Sequence, residues 1–195
     1  GYDAYYVAKG ERRPAHAKYR KEGSHAYSHS FGVRLLPRFT ETLYGELELA
    51  GQVGSEIKLA GQCYAGLTWK PETACKPSLT GALWCLSGDS DGERGNTSWH
   101  AVFNRETGLG ESIAPMYSKY NYTNLVYPHL AGECELGDFS KLACQAGPLF
   151  TAVREDDADG SYRGFYAQVQ YTIHPDKLFG ADILKGGKLS FLAEC

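Results

Sequence analysis

The sequence predicts an all-β chain, an antiparallel transmembrane β-barrel with about ten strands present. Three observations predict it. Apolar side chains recur at every second position over long runs, the period of a strand rather than of a helix. The positions between them carry charged, amide or small side chains, as the wall of a hydrated lumen does. Long polar connections fall at one end of the strands and mostly short turns at the other.

The elements follow from that period. Strands are expected at residues 2–9, 28–39, 42–53, 57–69, 77–87, 122–136, 140–153, 161–173, 177–184 and 188–195. In the second, Phe31, Val33, Leu35, Pro37 and Phe39 stand opposite Gly32, Arg34, Leu36 and Arg38. In the third, Leu43, Gly45, Leu47, Leu49, Gly51 and Val53 alternate with Tyr44, Glu46, Glu48, Ala50 and Gln52. A three-residue turn at Gly54-Ser55-Glu56 keeps the faces in register, so that Ile57, Leu59, Gly61, Cys63, Ala65, Leu67 and Trp69 continue the apolar side. The fifth strand sets Leu79, Gly81, Leu83 and Cys85 against Thr80, Ala82, Trp84 and Leu86. A turn at Gly137-Asp138-Phe139 would pair Glu135 with Lys141 and Cys134 with Leu142, placing opposite charges across a strand pair. Later, Phe165, Ala167, Val169, Tyr171 and Ile173 alternate with Tyr166, Gln168, Gln170 and Thr172. The last two strands flank Lys185-Gly186-Gly187.

At 195 residues the chain fits one domain, residues 1–195. Its 23 glycines and 14 tyrosines suit strands joined by many turns, and a net charge of -3 argues against a dedicated nucleic-acid binder. No run of about 18 apolar residues is present, so no spanning helix is expected. The opening GYDAYYVAKG lacks the charged start and apolar core of a signal peptide, which suits a mature, truncated or cytosolic chain. Six cysteines show no metal-ligand spacing, and five lie within or at the end of strand-like runs. Free thiols acting as small apolar side chains are favoured over a disulfide framework.

Which face meets water decides the class. Gly45, Gly51, Gly61 and Gly81 interrupt the apolar face and would fill a closed core poorly, whereas lipid tails tolerate such gaps. Runs of about 11–13 residues also suit a tilted spanning strand better than the globular mode of about 5–6. The apolar face is therefore assigned to membrane lipid, and Arg34, Arg38, Glu46, Glu48, Lys58, Gln62, Glu133, Glu135, Lys141, Gln168 and Gln170 to the lumen. Among these, Arg34, Arg38, Lys58 and Lys141 are the candidates for contacting an anionic solute, with Glu46, Glu48, Glu133 and Glu135 setting the counter-field. Loop 88–121, carrying Trp99, Phe103 and Tyr117, either folds over or into the mouth or covers the rim.

Chemistry of other kinds is weakly represented. Asp91, Ser98 and His100, or Ser28 and His29, supply triad residue types without a nucleophile-elbow setting, so no enzyme activity is expected. His25, His29 and His100 lack partners at ligand spacing, and Asp89, Asp91 and Glu93 lack the terminal glutamate of a calcium loop. No metal or cofactor is expected.

The runs YGELELAGQVG, KPSLTGALWCLSGDSDG, WHAVFN and NLVYPHL resemble the alginate-export family of outer-membrane porins, the most useful short motif being Ser87-Gly88-Asp89. The resemblance covers most of the chain from about Phe31 onward. It implies a channel in the outer membrane of a Gram-negative bacterium, passing small polar or anionic solutes or an anionic sugar polymer. Barrels of that family are larger, and ten strands enclose a narrow interior, so this chain is expected to be the C-terminal part of a larger barrel completed by further strands or another chain. The alternative is a soluble β-barrel that binds a small ligand.

Overall fold

A computed structural model describes residues 1–12, 25–55, 57–88, 97, 99, 124–153, 161–175 and 189–194. Its regular elements are nine strands: β1 (Tyr2–Arg12), β2 (His25–Leu35), β3 (Leu43–Gly54), β4 (Ala60–Trp69), β5 (Ser78–Leu86), β6 (Leu125–Glu135), β7 (Ser140–Phe150), β8 (Tyr162–Ile173) and β9 (Leu189–Glu194). They form one antiparallel sheet in chain order, β1 to β9. Among the described residues β1 and β9 are its two edges, and no pairing joins them. The strand expected at 177–184 lies outside the described residues.

The period-2 pattern carries through the registers. Leu49 stands opposite Cys63, Cys63 opposite Cys85, and Cys85 opposite Val126, so one apolar face runs unbroken across four strands. The β6–β7 turn falls where the sequence places it, with Cys134 facing Leu142 and Glu135 facing Lys141. The β3–β4 turn is longer than the expected three residues, since the last pair is Gln52 with Ala60. The Gly54 N–H donates to the Ile57 carbonyl at 2.8 Å, and the Ile57 side chain is buried. Burying Ile57 draws two more residues into the turn, which leaves the face assignment of β4 unchanged.

β2 ends at Leu35 rather than residue 39 because Pro37 has no N–H to give to the ladder. The register persists past it: Gly45 N–H donates to the Pro37 carbonyl at 2.8 Å, and Arg38 bridges Tyr44. Between β7 and β8 the register shifts at Leu149/Phe150, where Leu149 stands opposite Gly164 and Phe150 opposite Tyr162. Gly164 in that bulge has φ 141°, a backbone conformation that a side chain would strain.

The sheet curls around its polar face. Side chains two strands apart meet there: the Tyr127 and Tyr166 rings pack edge to face at 6.1 Å, from β6 and β8, over β7. Gly147 of β7 lets β6 approach closely, since any Cβ there would strike the Pro128 carbonyl and His129. Around this contact lies the core, made of Ala60, Leu86, Leu125, Leu149 and the two tyrosines, with Ile57 and Trp99 closing over it from the connections. Ala50 and Trp84 pack against its margin. The opposite, convex face leaves Leu47, Leu49, Leu67, Leu83, Leu130 and Val169 exposed, Leu130 to 64%. Two of its glycines are not gaps as expected: Phe31 lies over Gly51, and Pro37 and Phe39 lie over Gly45.

Candidate functional site: the concave face

The concave face divides along the strands. Toward the long connections it is filled by the aromatic core. Toward the tight turns it is polar and open. The expected hydrated lining therefore occupies only part of the face, because Trp84, Tyr127 and Tyr166 share its parity and fill the rest.

Alternation puts most of the expected lining residues on this face, and they meet in pairs. Arg34 of β2 donates from Nε to Oε1 of Glu46 at 2.7 Å, with a second guanidinium nitrogen at 2.5 Å. Glu48 accepts from the Tyr5 hydroxyl at 2.6 Å and from the Gln62 amide at 3.3 Å. Lys141 pairs with Glu133 at 2.5 Å, diagonally across β6 and β7. Glu135 accepts from Lys76 of the β4–β5 turn at 2.8 Å, an exposed contact that raises the Lys76 pKa above its ordinary value of 10.5. Gln168 accepts from Gln145 at 2.9 Å and from the Tyr166 hydroxyl at 3.0 Å.

Two expected residues stand apart. Lys58 sits exposed in the β3–β4 turn, outside β4, because that strand begins at Ala60. Arg38 is exposed past the end of β2, with Nε donating to the Thr40 carbonyl at 3.2 Å and the guanidinium 5.5 Å from the Tyr44 ring centre. Gln170 lines the polar cavity without a side-chain hydrogen bond among the described residues.

The cavity, about 500 Å³, opens on the polar half of the face. A single row of directly opposed residues crosses it, Thr68, Thr80, Ala131, Gln145 and Gln168, one from each of β4 to β8. The Thr68 and Thr80 hydroxyls are 2.8 Å apart. Sequence reading passed over Tyr5, Thr68, Thr80, Gln145 and Lys76. Thr68 and Gln145 were open to it by strand parity, lying an even number of residues from Gln62 and Lys141, and Thr80 by its place on the polar side of its strand, whereas Tyr5 needed the β1–β2 register that sets it opposite Gly32.

Ser87, the first residue of the Ser-Gly-Asp motif, ties the long connection to the sheet. Its N–H donates to the Gly61 carbonyl at 2.9 Å, its hydroxyl accepts from Gly61 N–H at 2.9 Å and donates to the Thr97 carbonyl at 2.7 Å. Its own carbonyl accepts from the N–H groups of Trp99 at 3.0 Å and Asn124 at 3.1 Å. Trp99 is thereby held over the core, 7% exposed. Asp89, Phe103 and Tyr117 lie outside the described residues, as do Asp91, Glu93, Ser98 and His100. Ser28 lies in β2 opposite Lys9. His29 is on the convex side, its Nδ1 2.5 Å from the Tyr6 hydroxyl. The described cysteines, Cys63, Cys75, Cys85, Cys134 and Cys144, are free thiols. Among the described residues no group of His, Cys, Asp or Glu is placed to hold a metal.

No family model, no curated protein and no solved structure matches this chain.

Proposed function

We propose that the sheet is a run of outer-membrane barrel strands whose concave face lines a lumen for small polar solutes. The observation that supports the reading is the convex face. It exposes a belt of leucine and valine bounded by aromatic side chains near both strand ends. Tyr6, Tyr27, Phe31, Tyr162 and Phe165 lie toward the long connections, and Tyr2, Phe39, Trp69, Phe139 and Phe191 toward the turns. A face this apolar is a liability in water and an asset in lipid. Paired aromatic girdles are the interfacial signature of such barrels. Phe31 and Phe39 are about 27 Å apart at about 3.4 Å per residue, which a tilt of about 40° reduces to about 21 Å along the membrane normal, within the apolar height of about 25 Å.

The polar concave face supplies the other half of the reading. Arg34–Glu46 and Lys141–Glu133 pair half-exposed charges along this face while leaving room for water beside Gln62, Gln168 and Gln170. The aromatic core under Trp99 would narrow the path, so passage is modest rather than wide. The alginate-export resemblance, membership of a larger barrel and residence in a Gram-negative outer membrane belong to this reading.

The test is vesicle flotation together with heat-modifiable gel mobility of the full chain. The reading expects flotation with bilayers, a need for detergent and a shifted unheated band. A stable monomer recovered from buffer without detergent rejects it and favours a soluble ligand-binding sheet.

A further inference from the structure

We infer that the cavity on the polar half of the concave face is a contact site for uncharged polyhydroxylated solutes, sugars or polyols, in preference to anions. The inference rests on the channel reading for its biological setting, but its chemistry stands on the cavity alone.

Its size comes first. About 500 Å³ falls within the range of small-molecule sites and accommodates a mono- or disaccharide. Its donors and acceptors come second. Gln168 Oε1 already accepts two hydrogen bonds, from Gln145 and Tyr166, and this fixes which end of its carboxamide is which. Its Nε2 is therefore left as a donor. Gln170 offers both a donor and an acceptor beside it. Between Thr68 and Thr80 one hydroxyl donates to the other, and the accepting hydroxyl keeps its own proton for a solute. A sugar hydroxyl both gives and takes a hydrogen bond, so it matches a wall that alternates the two.

Charge comes third. The lining holds one cation, Lys70, and one carboxylate, Glu133. The ammonium of Lys70 lies 5.7 Å from the centre of the Tyr44 ring, and Glu133 is held by Lys141. An anion entering here faces the Glu133 carboxylate, and two of the nearby cations are already engaged by carboxylates, Lys141 by Glu133 and Arg34 by Glu46. Ala131 and Ala143 keep the floor low, so a solute ring can approach the polar row.

The experiment uses the full chain in detergent micelles, titrated with maltose and separately with digalacturonate by saturation-transfer NMR. Saturable maltose binding is expected, with digalacturonate at least fivefold weaker. The double variant Gln168→Ala/Gln170→Ala should weaken maltose at least fivefold, with the unheated gel band retained. Should that variant lose its fold, Thr80→Val gives the same test and should weaken maltose at least twofold. Digalacturonate binding as tightly as maltose, maltose binding unchanged by the folded variants, or no saturable binding of maltose each overturns the inference. Flotation separates the two readings. A chain that floats but ignores maltose removes the solute assignment alone, and one that binds maltose but stays soluble removes the membrane reading alone.

Discussion

Tyr5 of β1 reaches across β2 to Glu48 of β3, donating its hydroxyl to Oε1 at 2.6 Å, and its ring passes directly above Gly32. A Cβ at Gly32 would lie 2.5 Å from the ring. The glycine is what lets two strands that are not neighbours share a hydrogen bond.

Gly32→Val and Tyr5→Phe should therefore have a common effect. Each removes the bond to a carboxylate, and the part-exposed setting limits the loss to about 1 kcal/mol. Urea unfolding of the micellar protein measures it. In a double variant the two losses should not add, because both act on one contact.

The convex face gives a second prediction. Leu47→Arg and Leu83→Arg should each cost about 2–4 kcal/mol of folding in bilayers, since both lie in the middle of strands whose apolar side faces outward. Leu59→Arg should cost nearly nothing, because Leu59 is exposed in the β3–β4 turn. Glu48→Gln should leave assembly intact. Equal losses at Leu47 and Leu59 would show that the convex side does not meet lipid.

Ser87→Ala removes a hydroxyl that bonds to both Gly61 and Thr97. The expected result is a looser Trp99, seen as a red-shifted emission and faster acrylamide quenching in a variant whose other two tryptophans, Trp69 and Trp84, are replaced by Phe. Stability should fall by about 1 kcal/mol, the cost of taking a hydrogen-bond partner from the part-buried Gly61 N–H and Thr97 carbonyl.

Tyr127 invites the opposite result. Its ring is buried, while its hydroxyl finds no partner among the described residues. Tyr127→Phe should be neutral or stabilising by about 1 kcal/mol, whereas Tyr127→Ala should cost about 3–5 kcal/mol through the cavity it leaves. Thermal unfolding in detergent distinguishes them.

Thiol chemistry reports the faces directly. Cys63 and Cys85 stand opposite each other on the apolar side of β4 and β5, and Cys75 is exposed in the turn between those strands. In proteoliposomes a water-soluble maleimide should label Cys75 at least tenfold faster than Cys63 or Cys85. Comparable rates would place the convex side in water.

Strand parity was the most legible feature, and its reason is physical. A period of two is insensitive to where a strand starts or stops, so the misplaced bounds at Leu35 and Ala60 left the face of Arg34 and Gln62 untouched. The Glu135–Lys141 register was readable because a short turn fixes it. Ile57 was misread because a turn residue with an apolar side chain looks like the next beat of the alternation. Its burial depends on Trp99 and Leu86, residues remote in sequence. Gly45 and Gly51 were misread for a related reason, since nothing local reveals that a neighbouring ring will cover them. The aromatic half of the concave face escaped notice because Trp84, Tyr127 and Tyr166 occupy alternate positions as obediently as glutamine does.

The row of Thr68, Thr80, Ala131, Gln145 and Gln168 has a bearing on how the chain finds its partners. Sliding any strand by two residues would keep every side chain on its proper side, so the apolar pattern is blind to that mistake. A slip of β4, β5, β7 or β8 would part Thr68 from Thr80 or Gln145 from Gln168, and a slip of β2 or β7 would put a side chain at the place of Gly32 or Gly147, where only hydrogen fits. The polar row and the two glycines thus act as a vernier, rejecting mispaired hairpins that hydrophobicity alone would accept.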